Sequence, residues 1–300
     1  MDGVGNAMRA FEKYHPAVSA FYFFTVIIIA VFVWHPIIQL SALTGAAAFC
    51  FSLESPRKAL KNTGFYIPLF LMVAVTNPLF SHNGVTPLFF LNGNPVTLEA
   101  FAYGAAIAVA VIGVMLWCKC MGEIMSSDKF LWLFGRPFPK ISLVLSAALR
   151  FIPLFVRQSK EVSRAQKAMG LYSSKSYVDK IKAAFSVLSV MITRALESAI
   201  DTSMSMKARG YGTGRRTSFS IFRFTLRDLI FLITALALFA VTLIGIALGK
   251  TEFYYYPEIT EIQADAGFII TCSAYFALAI LPFITEIKEE LKWKYCISKI

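Results

Sequence analysis

The sequence predicts an all-α, polytopic membrane protein with about six transmembrane helices and amphipathic helices on the cytoplasmic side. Three observations support this class. Hydrophobic residues make up 57% of the 300 residues and charged residues only 16%, whereas a soluble domain is about one quarter charged. Six apolar stretches approach the roughly 20 residues of helix that cross a bilayer. The basic residues, which give a net charge of +11, are distributed unevenly between these stretches.

The apolar stretches divide the chain into three predicted regions. A His-Pro pair at 35–36 separates the first two stretches, because proline removes a backbone donor and disfavours helix in the residue before it. The six predicted spans are 17–34, 37–53, 64–80, 98–118, 229–249 and 266–284. We therefore expect an N-terminal membrane region with four spans at 1–118, a cytoplasmic region with amphipathic helices at 119–227, and a C-terminal membrane region with two spans at 228–300.

The distribution of basic residues predicts the orientation. Nineteen of the 29 lysines and arginines lie within 119–227, and only Lys250 lies between the last two stretches, where four acidic residues occur. Cytoplasmic segments carry an excess of Lys and Arg, so both termini are expected in the cytoplasm of a multi-pass protein of the cell membrane. The charge is accounted for by topology and docking and does not indicate nucleic acid as a partner.

The region 119–227 has one alternative interpretation. The stretch 141–156 is largely apolar, and 183–199 would be its return span. Seven basic residues between them would then lie outside, which the positive-inside rule disfavours. Residues 181–199 also show a helical period, which indicates an amphipathic helix that packs on a neighbour, lies along the membrane, or binds a partner. Its apolar stripe is Ile181, Ala184, Phe185, Leu188, Met191, Ile192, Ala195 and Ala199.

Two predicted helices in this region end alike, 40 residues apart. One ends Lys-Ala-Met-Gly at 167–170, and the other ends Lys-Ala-Arg-Gly at 207–210. Glycine after the last turn is a common helix stop, and a basic residue in that turn is favoured by the helix dipole. Two ordinary helix ends are therefore one interpretation. Their similarity, flanking residues and predicted cytoplasmic position together favour a functional role.

At these residues the chain resembles the transmembrane T component of energy-coupling factor transporters. That family has two Ala-Arg-Gly motifs at the ends of two cytoplasmic coupling helices. Residues 164–170 are similar to the first motif, and 206–212, followed by the basic run at 215–217, are similar to the second. Residues 148–154 are similar to the segment that leads into the first coupling helix. His15-Pro16 lies where many members have Asp-Pro or His-Pro.

The resemblance implies a coupling subunit rather than an enzyme. Its partners would be two ABC ATPase subunits, identical or different, a membrane substrate-binding S component, and the lipid bilayer; the cargo would be a vitamin, another micronutrient or a metal ion. The implied ATPase-docking residues are Ala168, Met169, Gly170, Ala208, Arg209 and Gly210. The implied supporting residues are Arg164, Gln166, Lys207 and Tyr211.

The first motif departs from the family at one position. Met169 stands where the family has arginine, and methionine cannot reproduce the planar fork with which arginine binds a carboxylate. It can still fill an apolar groove, because its side chain is flexible. We therefore expect two unequal docking sites, with Arg209 contributing more than Met169.

The sequence indicates no catalytic chemistry of its own. It has no P-loop motif, so ATP hydrolysis would belong to partner subunits. The three histidines are scattered and match no metal-binding spacing, and neither a metal nor a cofactor is expected. Two alternatives are a stand-alone secondary transporter, which would need charged residues or broken helices within its spans, and, less favoured, a membrane-embedded enzyme, which would need a catalytic cluster.

Overall fold

The protein is almost entirely α-helical in the computed structural model. The helices are α1 (Pro16–Phe32), α2 (Pro36–Leu53), α3 (Pro56–Phe80), α4 (Leu98–Ile124), α5 (Ser127–Gly135), α6 (Pro139–Ala168), α7 (Tyr177–Ala208), α8 (Leu226–Ala247) and α9 (Ala266–Ile297). The structure describes residues 10–54, 56–81, 83–91, 94–135, 137–170, 177–214, 222–262 and 265–297. The predicted all-α membrane class is confirmed.

A short antiparallel hairpin interrupts the helices between α3 and α4. Strand β1 (Pro87–Leu91) pairs with β2 (Asn94–Thr97), with Phe90 opposite Pro95. The sequence analysis treated this stretch only as the connection between two spans. The two strands therefore add local order to a segment that carries no Lys or Arg.

Six of the described helices are long and apolar enough to cross a membrane: α2, α4, α6, α7, α8 and α9. Four of these, α2, α4, α8 and α9, coincide with predicted spans. The other two predicted spans lie in α1 and in the segment Gly64–Phe80 of α3, which are apolar but shorter. A polytopic protein is thus confirmed. Helices α6 and α7 qualify as candidate spans because each contains a long apolar run, although each also has a charged end. The cytoplasmic placement of 119–227 rests on charge distribution and stays a prediction.

Two His-Pro pairs begin the first two helices. His15 and His35 are N-cap residues, and their Nδ1 atoms accept hydrogen bonds from the backbone N–H groups of Ala17 (3.4 Å) and Ile37 (3.3 Å). The following proline occupies the first helical turn, where its fixed φ angle suits the helix and no backbone donor is lost. The predicted break at 35–36 is confirmed, since α1 ends at Phe32 and α2 begins at Pro36.

The core of the bundle is a cluster of five aromatic side chains. Phe11, Tyr22, Phe23, Phe49 and Trp117 are all fully buried. Their ring centroids lie 5.6–6.4 Å apart, mostly edge to face, a geometry favoured by the ring quadrupoles. The cluster joins α1, α2 and α4 to the segment that precedes α1.

Two carboxylates hold that preceding segment against the C-terminal helices. The backbone N–H groups of Ala10 and Phe11 each donate to Glu286 of α9 at 2.9 Å. The N–H of His15 donates to Asp228 of α8 at 2.8 Å. These contacts tie the N-terminal and C-terminal parts of the chain into one compact unit, formed by 1–129 and 222–300.

The connection between α8 and α9 contains the single cation predicted to lie outside. The ammonium of Lys250 contacts the Asp265 carboxylate at 2.6 Å. The hydrogen bond from Lys250 and its charge hold the pKa of the Asp265 carboxyl below its usual value. The one basic residue of this segment is therefore paired with one of its four acids.

Residues 130–221 form a second compact unit, in which α6 and α7 are the long helices. Only Val162, Gln166 and Ala183 are buried among the described residues of this unit. Most apolar side chains of α6 and α7 are exposed. The unit therefore has almost no hydrophobic core of its own.

Candidate functional site

The two similar segments are helix ends, as the glycine pattern predicted. Helix α6 ends at Ala168 and α7 at Ala208. Gly170 and Gly210 follow with φ angles of +82° and +76°, values that are strained for residues with a Cβ. Each glycine N–H donates to the carbonyl three residues earlier, at 3.0 Å and 2.9 Å.

The end of α7 is closed by a complete Schellman motif. The Gly210 N–H donates to the Lys207 carbonyl, and the Tyr211 N–H donates to the Met206 carbonyl at 3.0 Å. These are the two hydrogen bonds that define the motif. The Thr213 hydroxyl also donates to the Gly210 carbonyl at 2.7 Å. The backbone beneath Arg209 is consequently well fixed.

The end of α6 shares the first of these hydrogen bonds. The Gly170 N–H donates to the Lys167 carbonyl, and the Met169 N–H donates to the Ala165 carbonyl at 3.1 Å. Residues 171–176, as well as the basic run at 215–217, lie outside the described residues. Met169 therefore occupies the same place relative to its glycine as Arg209 does.

All but one of the predicted site residues are exposed. Met169 is 70% exposed, which is unusual for a large apolar side chain in a soluble segment but common at a binding surface. Both helix ends are thus accessible on the surface of the chain. The other exposed members are Arg164, Ala168, Gly170, Lys207, Ala208, Arg209, Gly210 and Tyr211.

Gln166 is the exception, because it is buried between α6 and α7. It is 5% exposed, and its Nε2 donates to the hydroxyl of Ser186 at 3.0 Å. Its Oε1 is buried without a hydrogen-bond partner among the described residues. Gln166 therefore links the end of α6 to α7 through its side chain.

The apolar stripe predicted on α7 does not pack on α6. Ile181, Phe185 and Leu188 are each more than half exposed, whereas the buried α7 residue is Ala183. A small side chain permits close approach of two helices, and Ser186 supplies the polar contact on the same face. The periodicity of the apolar residues predicts the helix correctly, but it does not predict which side of α7 packs on α6. Ala183 and Ser186, three residues apart, are the signal that marks it.

Residues 148–154 lie within α6. The guanidinium of Arg150 is 5.6 Å from the ring centroid of Phe151, and Pro153 lies inside the helix. The segment that the resemblance placed before the first coupling helix is therefore continuous with it.

No metal centre is formed by the described residues, among which no group of three or more His, Cys, Asp or Glu side chains comes together. His15 and His35 are helix caps, and His82 lies outside the described residues. The candidate site therefore consists of the two exposed helix ends.

Comparison with known proteins agrees with this surface. A family model described as cobalt transport protein (CbiQ) matches residues 13–221, which include both helix ends. The energy-coupling factor transporter transmembrane protein EcfT of Listeria innocua is 36% identical over 104 residues, 34% of this chain and 39% of that protein. The EcfT protein of Staphylococcus aureus is 27% identical over 200 residues, 55% of this chain and 75% of that protein.

The match to the first relatives is partial in length. The alignments cover 39% of the Listeria innocua protein and 38% of the EcfT protein of Lactobacillus helveticus, which is 34% identical over 34% of this chain. The family model, however, matches more than two thirds of the chain. The chain therefore belongs to the cobalt transport protein (CbiQ) family, the transmembrane T components of energy-coupling factor transporters.

Proposed function

We propose that this chain couples the motion of two cytoplasmic ABC ATPase subunits to a membrane S component that binds a vitamin, another micronutrient or a metal ion. The relatives are named as transmembrane proteins of energy-coupling factor transporters, and the chain has helices able to cross a membrane. The ends of α6 and α7 dock on the ATPases. The S component determines the substrate.

The observation that carries this proposal is the exposed Arg209 on a fixed helix end. The Schellman motif limits the motion of the backbone beneath it, so less conformational entropy is lost when a partner binds. A guanidinium on such a support can make two parallel hydrogen bonds to one carboxylate. Motion of the ATPase is then transmitted along α7 rather than absorbed by a flexible loop.

The two docking sites are unequal in this proposal. Met169 occupies the place that corresponds to Arg209, and it offers apolar area without a charge. Arg209 binds an acidic groove, whereas Met169 fills an apolar one. Two different ATPase subunits would suit two such different ends.

The orientation follows from the same assignment. Both helix ends must face the cytoplasm to meet ATPases, so the termini are cytoplasmic, and the connection with Lys250 and Asp265 is on the outer side of the cell membrane. The regions 1–118, 119–227 and 228–300 are proposed as membrane, coupling and membrane regions.

Co-purification with the ATPases tests the docking assignment. The full chain is co-expressed with a pair of ABC ATPases from the same genome, and the ATPase recovered per T component is measured. Charge-assisted hydrogen bonds contribute about 1.5–3 kcal/mol, so Arg209→Ala should weaken recovery at least about tenfold. Met169→Ala should have a smaller effect. Arg194→Ala is the matched control, since Arg194 is exposed on α7 but distant from its end.

Two results would contradict the assignment. Equal losses in Arg209→Ala and Met169→Ala would remove the proposed inequality of the two ends. A loss in Arg194→Ala as large as in Arg209→Ala would mean that general charge, rather than the helix end, binds the ATPases. Met169→Arg extends the experiment: unchanged or weaker recovery supports an apolar groove at that end, and stronger recovery opposes it.

A further inference from the structure

Two buried cysteines lie side by side where α2 packs on α4. Cys50 of α2 is 7% exposed, and Cys120 of α4 is 1% exposed. Both are free thiols, and their side chains interact directly across the contact between the two helices. A disulfide between two helices requires that packing already brings the two Cβ atoms close together, and this contact meets that requirement for one pair of cysteines.

Two contacts fix the register of α2 against α4. The indole N–H of Trp117 donates to the Ala42 carbonyl at 3.0 Å. One turn further along both helices, the Cys120 sulfur contacts the Ala46 carbonyl at 4.0 Å. Cys50 follows Ala46 by one more turn, and a helical side chain covers the turn before its own Cα. The Cys50 sulfur is therefore directed toward the turn that Cys120 contacts.

The two thiols differ in their access to small molecules. Cys50 lines an apolar cavity of about 300 Å³ between α2, α3 and α4, whereas Cys120 does not line it. Phe51 and Ile67 in the walls of this cavity are 48% and 61% exposed, so the cavity opens on the surface of the helices. A small neutral molecule that enters the cavity therefore reaches Cys50 before Cys120.

We propose that Cys50 and Cys120 form a reversible disulfide when a neutral hydroperoxide, ROOH, enters this cavity. In the first step the Cys50 sulfur takes the terminal hydroxyl group, the O–O bond breaks, and the thiol proton leaves with the RO fragment as an alcohol. In the second step the Cys120 sulfur displaces that hydroxyl group, which leaves with the Cys120 proton as water. The two thiols together lose two electrons, and the hydroperoxide is reduced.

The disulfide would change the freedom of α2 relative to α4. It joins the two helices covalently at their closest polar contact, whereas the two thiols leave them free to slide or separate. Thiol reductants reverse such a bond by exchange, and disulfides exposed to the reducing cytosol are usually transient and sense oxidants. This proposal does not depend on the coupling function, because it concerns the chain without its partners.

Oxidation of the purified full chain tests the proposal. The reduced protein is treated with tert-butyl hydroperoxide, the remaining thiols are blocked with N-ethylmaleimide after denaturation, and cross-linked peptides are identified by mass spectrometry. We expect the peptides that contain Cys50 and Cys120 to form the main intramolecular cross-link, and dithiothreitol to restore both thiols. Cys120→Ala should lose this cross-link and leave Cys50 as a sulfenic acid that dimedone traps. Cys50→Ala should lose both products.

Matched variants separate this pair from the other cysteines and test the entry route. Cys118→Ala removes an exposed thiol next to the pair, and Cys272→Ala removes a partly buried thiol on α9; both should give the wild-type yield of the cross-link. Ala47→Phe narrows the cavity, so it should slow formation of the cross-link severalfold. A misfolded Ala47→Phe protein would instead oxidise at several cysteine pairs, which the same peptide analysis detects.

Three results would overturn the proposal. The first is that both thiols of the wild type stay reactive after hydroperoxide treatment. The second is a main cross-link that includes the exposed Cys118 or Cys296 in place of the buried pair. The third is an unchanged rate in a folded Ala47→Phe variant, which would exclude the cavity as the entry route. These measurements need no ATPase and no S component, so their failure leaves the docking assignment unaffected.

Discussion

Single residues decide how the two helix ends are presented. Gly170 and Gly210 adopt left-handed backbone angles, and the residues before them project outward at the point where each helix stops. The identity of that preceding residue is the chief difference between the two ends. The same backbone device thus carries an apolar side chain on α6 and a cation on α7.

Replacing Gly210 should loosen the end of α7. At φ +76° an added Cβ costs about 1–2 kcal/mol, so Gly210→Ala should speed hydrogen exchange over 206–211 and lower ATPase recovery. Exchange is measured on the full chain by mass spectrometry. Gly214→Ala is the control, because its φ is not left-handed and its Cβ would meet no neighbouring atom. Equal protection in the two variants would show that the left-handed angle does not hold the motif together.

The sequence was informative about these residues because helix stops are local. Glycine and a preceding basic turn act within four residues, so both ends could be predicted at the right positions. The contacts of Glu286 with Ala10 and Phe11 and of Asp228 with His15 were not predictable. They join residues more than 200 positions apart, and no local pattern marks a carboxylate for a distant backbone N–H.

At the scale of helices, α6 and α7 depend on a narrow contact. Val162, Gln166 and Ala183 are the buried residues of this pair, and the Gln166–Ser186 hydrogen bond is its buried polar contact. The periodicity of α7 could be read from the sequence. Which of its faces meets α6 could not, because a stripe of apolar residues is equally suited to a neighbouring helix, a lipid surface and a partner.

Loss of the Ser186 hydroxyl should open this helix pair. Ser186→Ala leaves the buried Gln166 Nε2 unpaired, at a cost of about 1–3 kcal/mol, so protection of α6 and α7 from hydrogen exchange should fall by about tenfold or more. Ser189→Ala, an exposed serine on the same helix, is the control.

A double variant is expected to restore the protection that Ser186→Ala removes. Replacing Gln166 by Leu together with Ser186→Ala removes donor and acceptor at once, which is often close to neutral. Protection should then return toward the wild-type level. If Ser186→Ala alone has no effect, the hydrogen bond does not position the end of α6.

For the whole molecule, the number of spans and the side of α6 and α7 are the central question. Charge distribution predicts that 119–227 lie in the cytoplasm, whereas length and apolarity would let α6 and α7 cross the membrane. The sequence predicted about six transmembrane helices, and six described helices are long and apolar enough to cross a membrane, with α6 and α7 among them and α1 not. The reason is physical: α1 has only 17 residues, and a bundle can bury short helices that a bilayer alone would not accommodate.

Labelling of single cysteines in whole cells decides between these placements. In a chain with the five native cysteines replaced, Ser174→Cys lies between α6 and α7, Thr213→Cys follows α7, and Glu261→Cys precedes α9. An impermeant maleimide should label only Glu261→Cys, since the positive-inside rule keeps 157–182 in the cytoplasm. Labelling of Ser174→Cys as strong as that of Glu261→Cys would show that α6 and α7 span the membrane.

The sparse interior of the unit formed by 130–221 has an energetic consequence. A helix pair with three buried side chains gains little free energy from its own folding, so the angle between α6 and α7 is held by few contacts. Such a pair yields to external force at low energetic cost, so the angle between α6 and α7 is mechanically compliant even though motion can pass along α7 itself.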